Sequence, residues 1–214
     1  MKDKIVLVGF GGHAESVIDS IEASGKYEIV GYTDTNNKIN CRGYTYLGND
    51  ENLESIYLEG IHNAFITIGY MGKNDLRDKL YYMLKKTGFN MPVITDPSAI
   101  ISSSAEIGEG TFIGKGCVLN TGSKIGRMCI INSCALIEHG SVVNDFTHIA
   151  VRSALCGNVT IGSHCFIGAA SIVIQGITVG ENVITGAGAV VTSSLPDGCT
   201  AVGIPAKPVK DRSL

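Results

Sequence analysis

From Ile101 to Val191 every sixth residue is aliphatic, with Thr185 the one exception among sixteen positions, and no insertion breaks the count. A helix repeats every 3.6 residues and an ordinary strand every two, so neither produces a strict period of six. A coil with three short flat sides per turn does, when each side sends one large side chain inward. This is the hexapeptide signature of a parallel β-helix. At eighteen residues per turn, residues 101–191 make about five turns. The residue after the aliphatic is usually Gly or Asn, as at Gly108, Gly114, Asn120 and Gly126. These types tolerate a left-handed backbone, so they are the expected corner residues.

Ahead of the repeat the composition changes. Charged and aromatic residues concentrate before about residue 95, whereas Gly, Ser and Val dominate after it. Asp96-Pro97, with its bias to extended backbone before proline, is a natural boundary between a domain over 1–95 and another over 96–214. In the first, Lys4–Gly9 reads as a buried parallel strand and Val17, Ile18 and Ile21 as a helix ending near Gly25. Strands over Tyr27–Thr33 and Ala64–Gly69 and a helix over Asp75–Lys86, with Leu76, Leu80 and Leu84 on one face, complete an α/β alternation. The expectation is a Rossmann-like parallel sheet.

The loop Gly9-Phe10-Gly11-Gly12-His13-Ala14 fits G-x-G-x-x-A, and Asp34 follows about twenty residues later. Backbone N–H groups at a helix N-terminus can cradle phosphate. On these residues alone three readings stay open: an NAD site, a structural turn, or a smaller nucleotide such as a nucleotide-sugar held by the loop, Asp34 and the Gly69 strand end. A unit of about ninety residues with no hydride-transfer domain after it weighs against NAD, and the coil favours the nucleotide-sugar.

Residues eighteen apart stack on neighbouring turns, about 4.8 Å apart as adjacent strands are. His139, Gly157 and Gln175 share one column, and Val151, Ala169 and Ala187 another. The first sets an imidazole beside a bare backbone N–H. A general base next to a preorganised donor suits acyl transfer, where the base takes the nucleophile's proton and the N–H stabilises the oxyanion. The second column is a track of small residues along which an extended ligand could lie. On spacing alone His139 is equally readable as a solvated surface histidine.

The stretch Ile137-Glu138-His139, Asp145-Phe146-Thr147-His148 and Cys156-Gly157-Asn158-Val159-Thr160-Ile161-Gly162 resembles the hexapeptide acyltransferases that modify bacterial sugars. So does the closing Val202-Gly203-Ile204-Pro205-Ala206-Lys207. With GFGGHA and Asp34, the whole chain resembles the sialic acid O-acetyltransferase and bacillosamine-type N-acetyltransferase family. That resemblance implies a left-handed β-helix, homotrimers, and an acetyl-CoA site between neighbouring coils. By position, His139 is the implied base and Gly157 the donor to the thioester oxygen. His148 is the implied acetyl-CoA contact, with Ala169 and Ala187 along the pantetheine arm. Gly11, Gly12, His13, Asp34, Thr35 and Gly69 match the family's nucleotide-sugar positions, and Gly72-Lys73-Asn74 and Arg77 are diphosphate neighbours. One departure stands out. The residue after the family's catalytic histidine is often acidic, and here it is Gly140. Glu138 reads as a poor substitute, because consecutive residues of an extended strand face opposite ways. Asp145 or a neighbouring chain could supply the carboxylate.

The other signals narrow the function further. A net charge of −3 leaves no electrostatic footprint for nucleic acid. The apolar run near the start is too short for a signal peptide or a membrane span. Seven cysteines without a C-x-x-C pair suit reduced thiols in the cytoplasm, with Cys117, Cys129 and Cys165 as small core residues. His139, His148 and His164 lack the spacing of a zinc site on such a coil, so no metal is expected. His164 and His62 read as surface residues. The expected activity is acetyl-CoA-dependent N-acetylation of a nucleotide-linked 4-amino sugar. The alternatives are O-acetylation of a sialic-acid-type sugar, or a nucleotide-sugar-binding scaffold that has lost catalysis.

Overall fold

The computed structural model describes residues 2–37, 42–72 and 75–209. The chain divides into two compact units, Met1–Gly69 with Asp75–Pro97, and Tyr70–Asn74 with Ser98–Leu214.

In the first unit, strands β1 (Asp3–Val8), β2 (Tyr27–Thr33) and β3 (Asn63–Ile66) form a parallel sheet in the order β2-β1-β3. Ile5, Val6, Leu7 and Val8 are completely buried, as a central strand covered on both faces requires. Helix α1 (Gly12–Ser24) follows β1 and buries Ala14, Val17, Ile18 and Ile21. It stops at Gly25, whose left-handed backbone (φ 63°) returns its N–H to Ile21 O and Glu22 O. A short helix α2 (Leu53–Leu58) precedes β3, and α3 (Leu76–Thr87) follows it. The α2 segment escapes a periodicity reading because one and a half turns show too few repeats. The buried face of α3 is also shifted from expectation. It carries Arg77, Leu80, Tyr81 and Leu84, while Leu76, in the first turn, is 37% exposed.

The second unit is a parallel β-solenoid of sixteen two-residue strands, from Ile100–Ile101 to Val190–Val191. At three per turn these make slightly more than five turns, and left is the hand expected of hexapeptide repeats. Side 1 stacks the strands at 100, 118, 136, 154, 172 and 190, side 2 those at 106, 124, 142, 160 and 178. Side 3 stacks those at 112, 130, 148, 166 and 184, then continues into Thr200–Val202 and an antiparallel Lys207–Val209. Among the sixteen strands the pairings are eighteen residues apart, as in Leu136↔Ala154 and Ile137↔Leu155, whereas Ile184↔Thr200 spans sixteen. The inward repeat residues are buried from Ile113 onward, with Ile101 and Ile107 half-buried in the first turn, and Thr185 keeps its place because its hydroxyl accepts from Gly168 N at 2.9 Å.

The corners correct one expectation. Every sixth residue from Gly110 to Gly188 has φ between 56° and 72°, and these lie three residues after the aliphatic, not one. Eight of the fourteen are not glycine, including Phe146, Asn158, His164 and Ala170. The glycines directly after the aliphatic serve a different need, which is room. A Cβ on Gly108 would lie 2.5 Å from Arg127 N of the next turn, and one on Gly168 would lie 2.4 Å from Thr185 O. Four residues after the aliphatic come small buried groups that bond across turns. Thr147 Oγ1 and Ser153 Oγ each donate at 2.8 Å, to Gly162 O and Gly168 O. Cys117, Cys129 and Cys165 are fully buried in these positions.

Candidate functional site

His139 and Gly157 come together at the corner between sides 1 and 2. The strand Leu136–Ile137 ends, the chain turns through Gly140 (φ 65°), and one turn later Asn158 N–H donates to His139 O at 2.9 Å. A Cβ on Gly157 would lie 2.5 Å from both Cε1 and Nε2 of His139. The imidazole therefore rests against Gly157, and only glycine leaves it that place. The ring is exposed to solvent while Gly157 is buried, and the Gly157 N–H meets no acceptor among the described residues. An accessible imidazole beside an unclaimed N–H can remove a proton from an incoming nucleophile and support an oxyanion.

His148, Ala169 and Ala187 do not join this corner within one chain. His148 points outward from side 3, where the neighbouring outward residues are Ile130 and Phe166. Its Nδ1 lies 2.6 Å from Tyr70 O, and its Nε2 lies 3.2 Å from Asn132 Nδ2. A carbonyl can only accept and an amide NH₂ can only donate, so the partners assign a neutral ring with the proton on Nδ1. Both nitrogens are engaged by the protein, which leaves the half-exposed ring surface for any acetyl-CoA contact. Tyr70 itself is almost buried, and its hydroxyl donates to His164 O at 2.8 Å. Sequence reasoning missed Tyr70, which sits in a loop with no periodicity to mark it. Val151, Ala169 and Ala187 form the expected column at the corner between sides 3 and 1. Ala170 N–H donates to Val151 O and Gly188 N–H to Ala169 O.

Carboxylates near the histidine are placed differently from expectation. Asp145 is at another corner, with Oδ2 paired to Arg127 Nε at 2.9 Å and Oδ1 accepting Arg127 N–H at 3.0 Å. Glu138 has passed the end of its strand, so the alternation that seemed to turn it away does not apply. Its Oε2 accepts the His139 N–H at 3.2 Å and Asn120 Nδ2 at 3.1 Å. Asn120 and Glu138 are eighteen apart, so the stacking count held the signal.

In the first unit, the loops after β1, β2 and β3 gather at the carboxyl edge of the sheet, where ligands of open α/β folds bind. Gly9 turns the chain with φ 88°, and the Phe10 N–H donates to Asp34 Oδ2 at 2.8 Å. Asp34 thus holds the glycine loop, while Thr35 donates to its Oδ1 at 3.1 Å. Gly11 caps α1 with extended backbone and no side-chain hydrogen bond, and neither Gly11 nor Gly12 has an atom within 4 Å of where a Cβ would stand. That leaves the N-terminal face of the helix open. Gly69 lies beside His13, with 3.8 Å from its ideal Cβ to His13 Cβ. Arg77 is 2% exposed and donates to Ile68 O, so it braces the loop from inside and is not at a phosphate-accessible surface. Lys73 and Asn74 lie outside the described residues.

The remaining titratable groups play structural parts. His164 is half-buried at a left-handed corner and stacks on Phe146 with 5.1 Å between ring centroids and 5° between planes. His62 is exposed and packs on Tyr57. Burial pushes the thiols of Cys117 and Cys165 up to about 11, so they stay protonated and unreactive at neutral pH. Among the described residues no three His, Cys, Asp or Glu side chains converge as a metal site. No described helix is long and apolar enough to cross a membrane.

Residues 4–84 match the model of the PglD N-terminal domain. Residues 104–139 match the bacterial transferase hexapeptide (six repeats), and 158–193 the hexapeptide repeat of succinyl-transferase. A histidine-to-asparagine mutant of perosamine N-acetyltransferase from Caulobacter crescentus, in complex with CoA and GDP-perosamine, is 35% identical, with 97% of each chain covered and a TM-score of 0.92. The acetyltransferase domain of PglB from Neisseria gonorrhoeae, in complex with acetyl coenzyme A, is 32% identical, covering 98% of this chain and 100% of that one, with a TM-score of 0.91. WeeI from Acinetobacter baumannii AYE is 26% identical over 97% of this chain and 100% of that one, with a TM-score of 0.79.

Proposed function

The chain belongs to the hexapeptide sugar acetyltransferases of the bacillosamine type, and we propose that it transfers the acetyl group of acetyl-CoA to the amine of a nucleotide-linked 4-amino sugar. The observation that carries this reading is the His139 imidazole resting against Gly157, whose N–H meets no acceptor among the described residues. The amine attacks the thioester carbonyl, and His139 takes its proton. The Gly157 N–H receives the oxyanion, and the C–S bond breaks as the intermediate collapses. The thiolate of CoA leaves with the proton that the imidazolium returns. An amine acceptor is favoured over a hydroxyl because the relatives at 35% and 34% identity carry GDP-perosamine, an amino sugar, together with CoA. The nucleotide is assigned to Gly11, Gly12, His13, Asp34, Thr35 and Gly69, whose open glycine loop suits a diphosphate.

The working form is a trimer, in the cytoplasm where acetyl-CoA is made. Its support is side 1, whose six outward residues, Ile100, Val118, Leu136, Ala154, Ile172 and Val190, are all aliphatic. Side 2 presents Glu106, Lys124 and Thr178 in the same positions. Ile100 is 67% exposed and Ile172 41%, which is apolar surface that a second copy would cover. Side 1 is flanked by the His139 corner on one edge and the Ala169–Ala187 column on the other. Packing three such sides around an axis sets the His139 of one copy beside the small-residue track of the next, and acetyl-CoA would lie along that seam.

The test is thiol release from acetyl-CoA with UDP-, dTDP- and GDP-linked 4-amino sugars and with free sialic acids. Turnover with an amino-sugar nucleotide, falling about 100- to 10,000-fold in His139→Ala, is the expected result. Turnover with sialic acid alone, or undiminished activity of His139→Ala, would overturn the reading.

A further inference from the structure

We infer that Glu138 is the positioning residue of His139, doing through the main chain what an acidic residue at position 140 would do through the ring. The inference rests on the assignment of His139 as the base. Three observations lead to it. Position 140 supplies no carboxylate, and a Cβ on Gly140 would lie 2.4 Å from Asn158 Oδ1, so any side chain there must displace the Asn158 amide. Asp145, the other candidate in the same chain, is paired with Arg127 at a different corner. Glu138 is already fixed on the catalytic segment, since one oxygen accepts both the His139 N–H and the Asn120 amide of the turn before.

The consequence is geometric. The His139 N–H is not satisfied by turn-to-turn bonding, whereas its neighbours Glu138 N and Gly140 N donate to Leu155 O and Thr121 O. The carbonyl of that peptide accepts the Ser141 N–H only at 3.3 Å, so with its N–H unpaired the peptide is free to tilt and carry the imidazole off Gly157. The carboxylate pins it, and Asn120 pins the carboxylate. An ionised acceptor makes the stronger bond of its kind. Thus the oxyanion donor and the base are held in register by the same ladder that builds the fold.

The test compares Glu138→Ala, Glu138→Gln, Asn120→Ala and Gly140→Asp by steady-state kinetics and thermal unfolding, with His139→Ala as control. Glu138→Ala is expected to lower kcat roughly 10- to 100-fold with the KM for acetyl-CoA unchanged, since a displacement of about an ångström at the reacting group costs that much. Glu138→Gln keeps an acceptor oxygen and should recover kcat to within about threefold of wild type. Asn120→Ala, which removes the second anchor while leaving the carboxylate, should lower kcat about threefold even if Glu138→Ala fails to fold. Gly140→Asp should lower kcat, because Asn158 must move. Wild-type kcat in Glu138→Ala, a Gln variant as slow as the Ala variant, or a gain in Gly140→Asp would each overturn the inference. Full turnover by His139→Ala would instead remove the base assignment beneath it.

Discussion

Single residues here are chosen by what stands one turn away, more than by their own neighbours in the chain. Gly157 is glycine because an imidazole occupies its Cβ position. Gly157→Ala should therefore abolish turnover by displacing His139, while nucleotide-sugar binding by the first unit, read by calorimetry, stays at its wild-type value. Cys117 and Cys165 lie within the coil with their thiols raised to about 11 by burial. An unfolded thiol ionises near its ordinary value of about 8.5. Between that pH and about 11 the unfolded state loses protons that the native state keeps, so stability is fully present below pH 8.5 and declines as pH rises toward 11. Urea unfolding across pH 7–11 should show the decline, and the Cys117→Ala/Cys165→Ala double variant should show a shallower one. At this scale the sequence disclosed His139, Gly157 and the alanine column, because a count of eighteen is arithmetic. It hid Tyr70 and the partners of His148, which meet across a long sequence separation with no period to betray them.

Among elements, the two-residue strands were legible from the six-residue period, and their register follows from it without further information. The corners were misplaced by two positions, because glycine answers two physical demands that look alike in a sequence. One is freedom of φ and the other is absence of volume. The structure separates them. Ala170 holds a left-handed backbone (φ 56°) at an exposed corner, whereas Gly168 has ordinary backbone but no room. Ala170→Gly should leave the denaturation midpoint unchanged or raise it, as a left-handed alanine costs about 1 kcal/mol that glycine avoids. Gly168→Ala should lower stability by about 2–4 kcal/mol or prevent folding, since Thr185 O of the next turn cannot yield independently. Chemical denaturation of both variants decides it, and the reverse ranking would contradict the division of roles. In the first unit α2 escapes a periodicity reading for want of length, and Arg77, matched by resemblance to a diphosphate neighbour, lies instead on the buried face of α3.

For the molecule as a whole, the proposed trimer makes the aliphatic stripe of side 1 a link between assembly and activity. Leu136→Glu places a charge in the middle of that stripe, three residues before His139 and on the side shared by both edges. Sedimentation velocity is expected to show smaller particles than wild type, with acetyl transfer lost and nucleotide-sugar binding kept. A variant that remains fully assembled and active would sever the two. The two-unit organisation is legible as a composition shift, whereas the unbroken aliphatic stripe of side 1 shows only once outward and inward positions are told apart. The unbroken pairing at eighteen residues has one more consequence. The coil behaves as a thread with a counted pitch. Loss of one residue anywhere along it would turn every later inward side chain outward, and loss of six would move each later strand to the next side. Only the removal of eighteen, one whole turn, would return every side chain to its own face. Change in length is thus quantised, and a chain built this way can become longer or shorter by full turns while the corner that holds His139 stays as it was.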